Sequence, residues 1–556
     1  MANQLLAEIG TALLAVEQPA ALVGGFSVGL GAVLALAPST RWGWRLAFVG
    51  GLAGLAPWGI LNEVILPNFT TIRLPVSHVW QFSGMAALGA AVAAGYLRYL
   101  VPAVDLAAER LTKGTALERN GKTDVRTIHQ LLPAVPPAFD PLKFWGSQGF
   151  FLGMGESGRP VHWSGDLPHV QVTGTTGAGK GVFLSMLAAQ CAAGGEAVFY
   201  FDPKDDEWAP HVLAHVAAQR GVPFHFVDLR PGAGPQVNLL AGASEEEATE
   251  LFYAAFSLSE RGTDADFYRL ADRQAAKKMA RLAAAGATPA TLWNAHGAAL
   301  REEAPGFAGQ LQEMAELPAV NAGRGGLDLE KIINDGGAVY AVGSMRNAAV
   351  IRMQRMLLVR LIQLAERRDR TVGAPRKICV LLDELKYHVS RPALEALGAA
   401  RDKGVHLVLA HQSLADLRDC PADLDPDAVV GAVMENGKVK LAYRVEDPDT
   451  AEWLARKSGR IQADDEIRRV TRNAALAETV DNERTIRQAE RFFIDSNMVL
   501  NLKSSQAVLF GLGLPQFLHT SPIRVTKTKL EPRVVAGDRV TDSSDLISLN
   551  KNSEKI

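Results

Sequence analysis

Residues 174–181 read Gly-Thr-Thr-Gly-Ala-Gly-Lys-Gly. Glycines at this spacing let successive backbone N–H groups turn inward around a phosphate chain. Gly174, Thr175, Thr176, Gly177, Ala178, Gly179 and Gly181 would form that cradle, and Lys180 would meet the β- and γ-phosphates of ATP as a point charge. The residue after the lysine is ordinarily a Ser or Thr whose hydroxyl holds Mg²⁺; here it is Gly181, so the ion must take water and another carboxylate. Asp383 and Glu384 close the apolar run KICVLLDE at 377–384. Asp383 is placed to hold the magnesium shell and Glu384 to orient or deprotonate an attacking water. Gln412 ends a second apolar run, GVHLVLAHQS, where it could sense the γ-phosphate or the water, or be a solvated loop residue. Arg401, between the two runs, could reach the nucleotide of a neighbouring subunit, or be a surface arginine.

Positioning these groups requires strands with helices between them. HVQVT, AVFYFD, GVPFHFVDLR, GGAVYAVGSM, KICVLLDE and GVHLVLAHQS are apolar runs of strand length. Strands buried on both faces read this way. Helical spacing follows the lysine in VFLSMLAAQCAA and appears again in HVLAHVAAQR. The alternation predicts an α/β fold with a parallel sheet, over 147–243 and 326–525. Residues 244–325 show no strand pattern and open on the capping pair Ser244 and Glu247, which predicts an all-helical insertion. Arginines 346, 352, 355, 360, 367 and 368 follow the GGAVYAVGSM run, as a solvated face or a nucleic-acid contact. A GxGxxG at 153–158 leads into GRPVHW, a turn and a strand, so it is not a dinucleotide fingerprint.

The first 104 residues differ in kind. Uncharged stretches lie between Glu17 and Arg41, Arg45 and Glu63, and Arg73 and Arg98; the middle one is shorter and holds Pro57. They predict a membrane anchor of two or three helices. Arg41, Arg45 and Arg98 place the body of the protein in the cytoplasm by the positive-inside rule. A charged, then proline-rich stem follows at 105–146, and a polar tail closes the chain at 526–556. Among 556 residues the net charge is −2, which excludes a wholesale basic coat. The three cysteines, Cys191, Cys379 and Cys420, are far apart with no CxxC. That spacing excludes a disulfide framework and a zinc site, and fits a reducing compartment.

The ordered set GTTGAGKG, FDPKDDE, VLLDE, HQS and ENGKVKLAYRVEDPDTAEWLARKSG resembles the type IV coupling proteins, the TraD/TraG-like members of the FtsK/HerA group of P-loop ATPases. Asn436, Lys438, Asp447, Thr450, Ala451 and Gly459 carry the late part of the match. The resemblance covers roughly 147–520 and implies a RecA-like nucleotide-binding domain. It also implies a homo-hexameric, multi-pass inner-membrane ATPase that couples a relaxase-bound DNA strand to a type IV secretion channel. In its terms Lys180 is the Walker A lysine, Asp383 and Glu384 the Walker B pair, Gln412 the motif III glutamine and Arg401 a trans-acting arginine finger. Single-stranded DNA is the expected cargo, held by charge rather than by base reading, with Lys438, Lys440 and Arg444 as candidates. A double-strand translocase and a non-hydrolytic docking receptor are the alternatives. The chain departs from the family in having three apolar segments rather than two. It also has Asp205-Asp206-Glu207 after Asp202-Pro203-Lys204, where Gly-Glu is usual, and no role is assigned to Asp202 or Lys204.

Overall fold

The computed structural model describes residues 2–36, 42–68, 77–101, 103, 128, 132–146, 148–262, 264–369, 371, 373–472 and 478–535. Most of the stem at 105–146, the tail beyond 535, Arg41 and Arg73 lie outside the described residues. The chain forms two units, one of residues 1–119 with 462–488 and one of 120–461 with 489–556.

In the first unit the apolar segments form the helices Ala2–Leu36, Gly43–Ile60 and Ser77–Gly95. The first helix packs on both others through small residues. A Cβ on Gly29 would lie 1.7 Å from the Ala86 carbonyl oxygen, and one on Gly24 would lie 2.5 Å from that of Gly50. Only glycine allows backbones this close, a packing mode of helices in lipid. Their outer faces carry exposed Val23, Leu36, Phe48, Leu52 and Trp80. Among the described residues, two helices are long and apolar enough to cross a membrane, Gln4–Leu36 and Gly43–Asn68. The middle segment is thus longer than its sequence reading. Pro57 stays inside the helix, which loosens into a π turn at Leu61–Ile65 and runs on to Asn68.

The second unit is built on one sheet of eleven strands. In chain order they are β1 (Phe150–Gly155), β2 (Pro160–Trp163), β3 (Val170–Thr173), β4 (Ala197–Asp202), β5 (Phe224–Asp228), β6 (Gly337–Val342), β7 (Ile378–Leu382), β8 (Val405–His411) and β9 (Val439–Tyr443). β12 (Gln506–Phe510) and β13 (Gln516–His519) return to the large sheet, while β10 (Arg460–Arg472) and β11 (Glu478–Phe492) form a hairpin ladder of their own, most of which, residues 462–488, belongs to the first unit. The order is β2-β1-β13-β12-β9-β3-β8-β7-β4-β6-β5. From β9 to β5 the pairs are parallel, and from β9 outward to β2 they are antiparallel. Strands β3, β4, β6, β7, β8 and β9 are buried at every position, and β4, β6 and β7 in particular read as apolar runs, whereas β9 buries Lys440 among its apolar residues.

Helices Lys180–Ala193 and Ala209–Arg220 cover one face of this sheet through Phe183, Leu187, Val212 and Val216. The other face receives the helix Ala348–Glu366 and the all-helical segment between β5 and β6, which opens at Ser244 with a complete capping box. Phe252, Phe256 and Phe307 of that segment share one core with Phe199, Phe201, Val339 and Val380 of the strands. The helical segment therefore has no core of its own.

Candidate active site

Strand β3 ends at Thr173, and residues 174–179 loop over to the first turn of the helix Lys180–Ala193. The loop is braced by neighbouring strands: Gly174 N–H donates to His411 O at 3.2 Å and Thr175 N–H to Arg444 O at 2.8 Å. Gly179 sits at φ +123°, and a Cβ there would meet the Tyr443 ring at 2.9 Å, so glycine is needed for both conformation and space. Lys180 is folded back on the loop, its Nζ donating to Gly174 O at 2.5 Å and Thr175 O at 3.3 Å. Burial and the Lys204 charge both lower the Lys180 ammonium from its ordinary pKa.

Sheet order brings the other groups to this edge. The strand of Gln412, β8, lies between β3 and β7, the strand of Asp383 and Glu384. All run parallel, so their C-terminal ends open on the same side. Glu384 occupies the left-handed region at φ 50°, ψ 66°. For a residue with a Cβ this costs about 1–3 kcal/mol and is kept where the surroundings over-determine it. What it gains is visible in its contacts. The buried Glu384 carboxylate meets Lys204 Nζ and accepts from Gln412 Nε2 at 2.9 Å. Lys204 Nζ also lies 3.3 Å from Asp383 Oδ2.

These charges set one another. Burial pushes the Asp383 carboxyl up, the Lys204 ammonium opposes it and the Glu384 charge adds to it, and the net is a raised pKa. Burial pushes Glu384 up as well, but Lys204 and the Gln412 amide outweigh it and hold that carboxyl below its ordinary value. Lys204, which motif reading left without a role, is thus the cation that ties both acids together. It is held by its own strand end: Asp202 accepts from Lys204 N–H at 2.8 Å and from Tyr340 Oη at 2.5 Å. A free lysine on an exposed loop and one bridging two buried acids look alike in sequence. The signal available was the position of Asp-Pro-Lys at the end of a fully buried strand.

Gly181 offers no oxygen to a metal. A Cβ at Gly181 would meet Asp206 Oδ2 at 3.9 Å, so Asp206 stands beside the place where a hydroxyl would be. Asp206 Oδ1 accepts from Trp208 N–H and Ala209 N–H, both at 2.7 Å, which fixes the side chain at the start of the helix Ala209–Arg220. With buried Asp383 nearby, the donors present are carboxylate oxygens, which fit a magnesium ion.

The remaining candidates lie elsewhere. Arg401 is exposed in the turn Arg401–Lys403 that leads into β8, at the N-terminal edge of the sheet. The seven residues of β8 separate it from its own Gln412, a span of about 20 Å. Lys438 precedes β9 and is exposed, whereas Arg444 follows it and braces the phosphate loop through its carbonyl. They are at opposite ends of one strand and form no single patch. Lys440 is not a DNA contact: it is 4% exposed, and its Nζ donates to the carbonyls of Met434, at 2.7 Å, and Gly437. It neutralises the C-terminal end of the helix Pro426–Asn436, and burial lowers its pKa to about 8.

Comparison with known proteins bears on these residues. Residues 377–492 match the family described as the TraM recognition site of TraD and TraG. Mobilization protein A of Escherichia coli is 32% identical over 329 residues, which are 58% of this chain and 60% of that protein. The chain thus spans about 60% of the length of this curated relative. Solved structures with a similar arrangement include the bacterial conjugative coupling protein TrwBdeltaN70 in an unbound form, at 14% identity and TM-score 0.49, covering 69% of this chain and 90% of that one. TrwB in complex with ADP and Mg²⁺ matches at 16% identity and TM-score 0.46, covering 71% and 91%. VirB4 of Thermoanaerobacter pseudethanolicus matches at 15% identity and TM-score 0.45, covering 68% and 98%. The TraD/TraG segment runs from the acid-tipped strand β7 through the hairpin β10–β11, and with a mobilization protein as a relative in sequence the chain is similar to type IV coupling proteins.

Proposed function

We propose that this protein hydrolyses ATP to drive a relaxase-bound DNA strand into a type IV secretion channel. The observation that carries the reading is the convergence of the Lys180 loop, Asp383, Glu384, Gln412 and Lys204 at one edge of the sheet. Lys180 exchanges its two loop carbonyls for β- and γ-phosphate oxygens when nucleotide enters. Asp383 and Asp206 are the residues that would hold magnesium, with Gly181 contributing nothing. A bound Mg²⁺ neutralises charge on the phosphate oxygens. Glu384, kept ionised by Lys204, accepts a proton from the attacking water, and Gln412 holds its carboxylate in place. Withdrawal of Lys204 raises the proton affinity of Glu384, so the lysine controls how strong a base it is.

In this reading the apolar helices anchor a hexameric ring at the inner membrane with the sheet in the cytoplasm, and Arg401 serves the site of the next subunit. A reporter active only in the periplasm stays silent when fused after Lys113; activity there would reverse the orientation. The decisive measurement is ATP turnover by the full chain in detergent, alone and with single- or double-stranded DNA. Stimulation chiefly by single strands supports the reading. Stimulation by duplex alone makes it a double-strand translocase. Transfer that survives Glu384→Gln makes it a docking receptor.

A further inference from the structure

The far end of the phosphate-loop helix holds a second group of chemically active side chains. In the parallel ladder of β7 and β8, Cys379 and His406 are register partners. Their side chains leave the sheet on the same face, from strands about 4.8 Å apart. The helix Lys180–Ala193 crosses that face and places Cys191 in its last turn. The chain then reverses through Gly194 and Gly195, the latter at φ +84°, and Glu196 N–H donates back to Cys191 O at 3.0 Å. Two ligands thus come from the sheet and two from the turn above it.

The ligand atoms of Cys191, Glu196, Cys379 and His406 all lie within 4.8 Å of one another. The four residues are 0%, 9%, 0% and 4% exposed. Cys191 Sγ is 3.6 Å from His406 Nε2, and Glu196 Oε2 is 3.1 Å from the same nitrogen. In a tetrahedral zinc site, with Zn–S about 2.3 Å and Zn–N or Zn–O about 2.0 Å, sulfur and nitrogen stand about 3.5 Å apart and nitrogen and oxygen about 3.3 Å. The spacing is that of ligands around a shared centre. His406 Nε2 is thus the one nitrogen that both the Cys191 thiol and the Glu196 carboxylate face, as a buried ion pair with a thiol beside it.

We propose that Cys191, Glu196, Cys379 and His406 bind a zinc ion. Two thiolates and an imidazole select a thiophilic cation over magnesium or calcium, which prefer oxygen. Four protein ligands in a buried position leave no open coordination site, so the ion is structural. It pins the C-terminal end of the helix Lys180–Ala193 to β7 and β8, whose other ends carry Asp383, Glu384 and Gln412. Zinc takes the thiolate forms of the cysteines and the neutral imidazole, so binding releases to solvent the two thiol protons and the proton that His406 Nε2 shares with Glu196. Glu196 also lines a surface cavity of about 600 Å³ with Gly194, Gly195, Arg376 and Lys377, which gives the ion a route past the carboxylate. The exclusion of zinc drawn from cysteine spacing fails here, because register and a helix end supply the proximity.

The test is metal analysis of the full chain purified in detergent. About one zinc per chain is expected, held through gel filtration. Replacing it with Co²⁺ should give a thiolate-to-cobalt charge-transfer band and intense tetrahedral d–d bands. Cys191 and Cys379 should resist thiol reagents until a strong chelator is added. Cys191→Ala should lose the ion and the cobalt band while still binding ATP. Cys379→Ser should do the same, and if it does not fold, the wild-type metal content and Cys191→Ala decide. Absence of zinc and of any cobalt–thiolate band overturns the proposal, as does a Cys191–Cys379 disulfide in protein kept under reducing conditions. Zinc that washes off without changing thiol reactivity is an adventitious ion only, and overturns it too.

Discussion

At the C-terminal edge of β3, β8, β7 and β4, charged side chains gather under a glycine loop and are tied to one another by a lysine. At the N-terminal edge of β7 and β8 the chemistry is of another kind: two thiols, an imidazole and a carboxylate, buried beneath the last turn of the same helix. The first edge presents backbone N–H groups, ammonium groups and carboxylates. One helix and two strands thus carry two groups of different chemistry at their opposite ends. Residue type, more than burial, separates them: Lys180, Asp383 and Glu384 are 5%, 9% and 1% exposed.

Arg401 connects the two edges only if chains assemble. It stands at the N-terminal edge of its own sheet, and an arginine finger is worth roughly 10³–10⁵ in rate. Arg401→Ala should lose turnover on that scale, and mixing it with Lys180→Ala should restore part, since mixed rings contain interfaces with both groups intact. If mixed rings form and stay inactive, Arg401 belongs to no neighbouring site.

Glu384→Gln should slow hydrolysis by about 10²–10⁴-fold with ATP still bound, as expected when a general base is lost. The zinc content should not change. Loss of zinc in this variant would mean that the edges are not independent.

Lys204→Met should act through pH. Lys204 opposes the upward push of burial on Glu384, so without it the Glu384 pKa rises. Turnover should fall several-fold at neutral pH and recover as pH increases, with the acid limb of the kcat profile moved upward. An unmoved limb would show that Glu384 is not the titrating base.

Cys191→Ala sharpens the contrast from the other side. Turnover at 25 °C should change little, while Tm falls by about 2–4 °C for each kcal/mol of stability lost with the ion. Turnover abolished as fully as by Glu384→Gln in a folded Cys191→Ala protein would break the division of labour.

The smallest effect concerns DNA. Lys438→Ala should weaken single-strand binding modestly and reduce the slope of log affinity against log salt by about 0.7. Lys440→Met should leave that slope unchanged and destabilise the end of the helix Pro426–Asn436 instead. A slope change in the second variant and none in the first would reverse the assignment.

The phosphate loop, the acid pair and the buried strands could be read from the chain because each is a local pattern. Six adjacent residues make the loop, and a strand covered on both faces must be apolar along its length. Lys204 could not be read, because its role depends on β4 lying beside β7, 179 residues later in the chain. Lys440 was misread for a related reason. Its charge suggests a surface, but the end of the preceding helix folds over it and accepts two hydrogen bonds from its ammonium through carbonyls. The length of the second apolar helix escaped because proline is a poor boundary where a π turn can absorb it. The hairpin β10–β11 escaped because its strands are rich in charged residues, a composition depleted in strands.

Sequence alone determined that this chain has an apolar N-terminal segment, a phosphate loop and the parallel part of an α/β sheet, because periodicity and short motifs are properties of neighbouring residues; the antiparallel extension from β9 to β2 was not legible. Tertiary structure alone decided that Gln412 stands between loop and acids, that Lys204 joins the acids, and that Cys191, Glu196, Cys379 and His406 meet. Those contacts come from strand order and register. Both are set by burying whole faces of strands against helices, a condition on the entire sheet that no single stretch of residues contains.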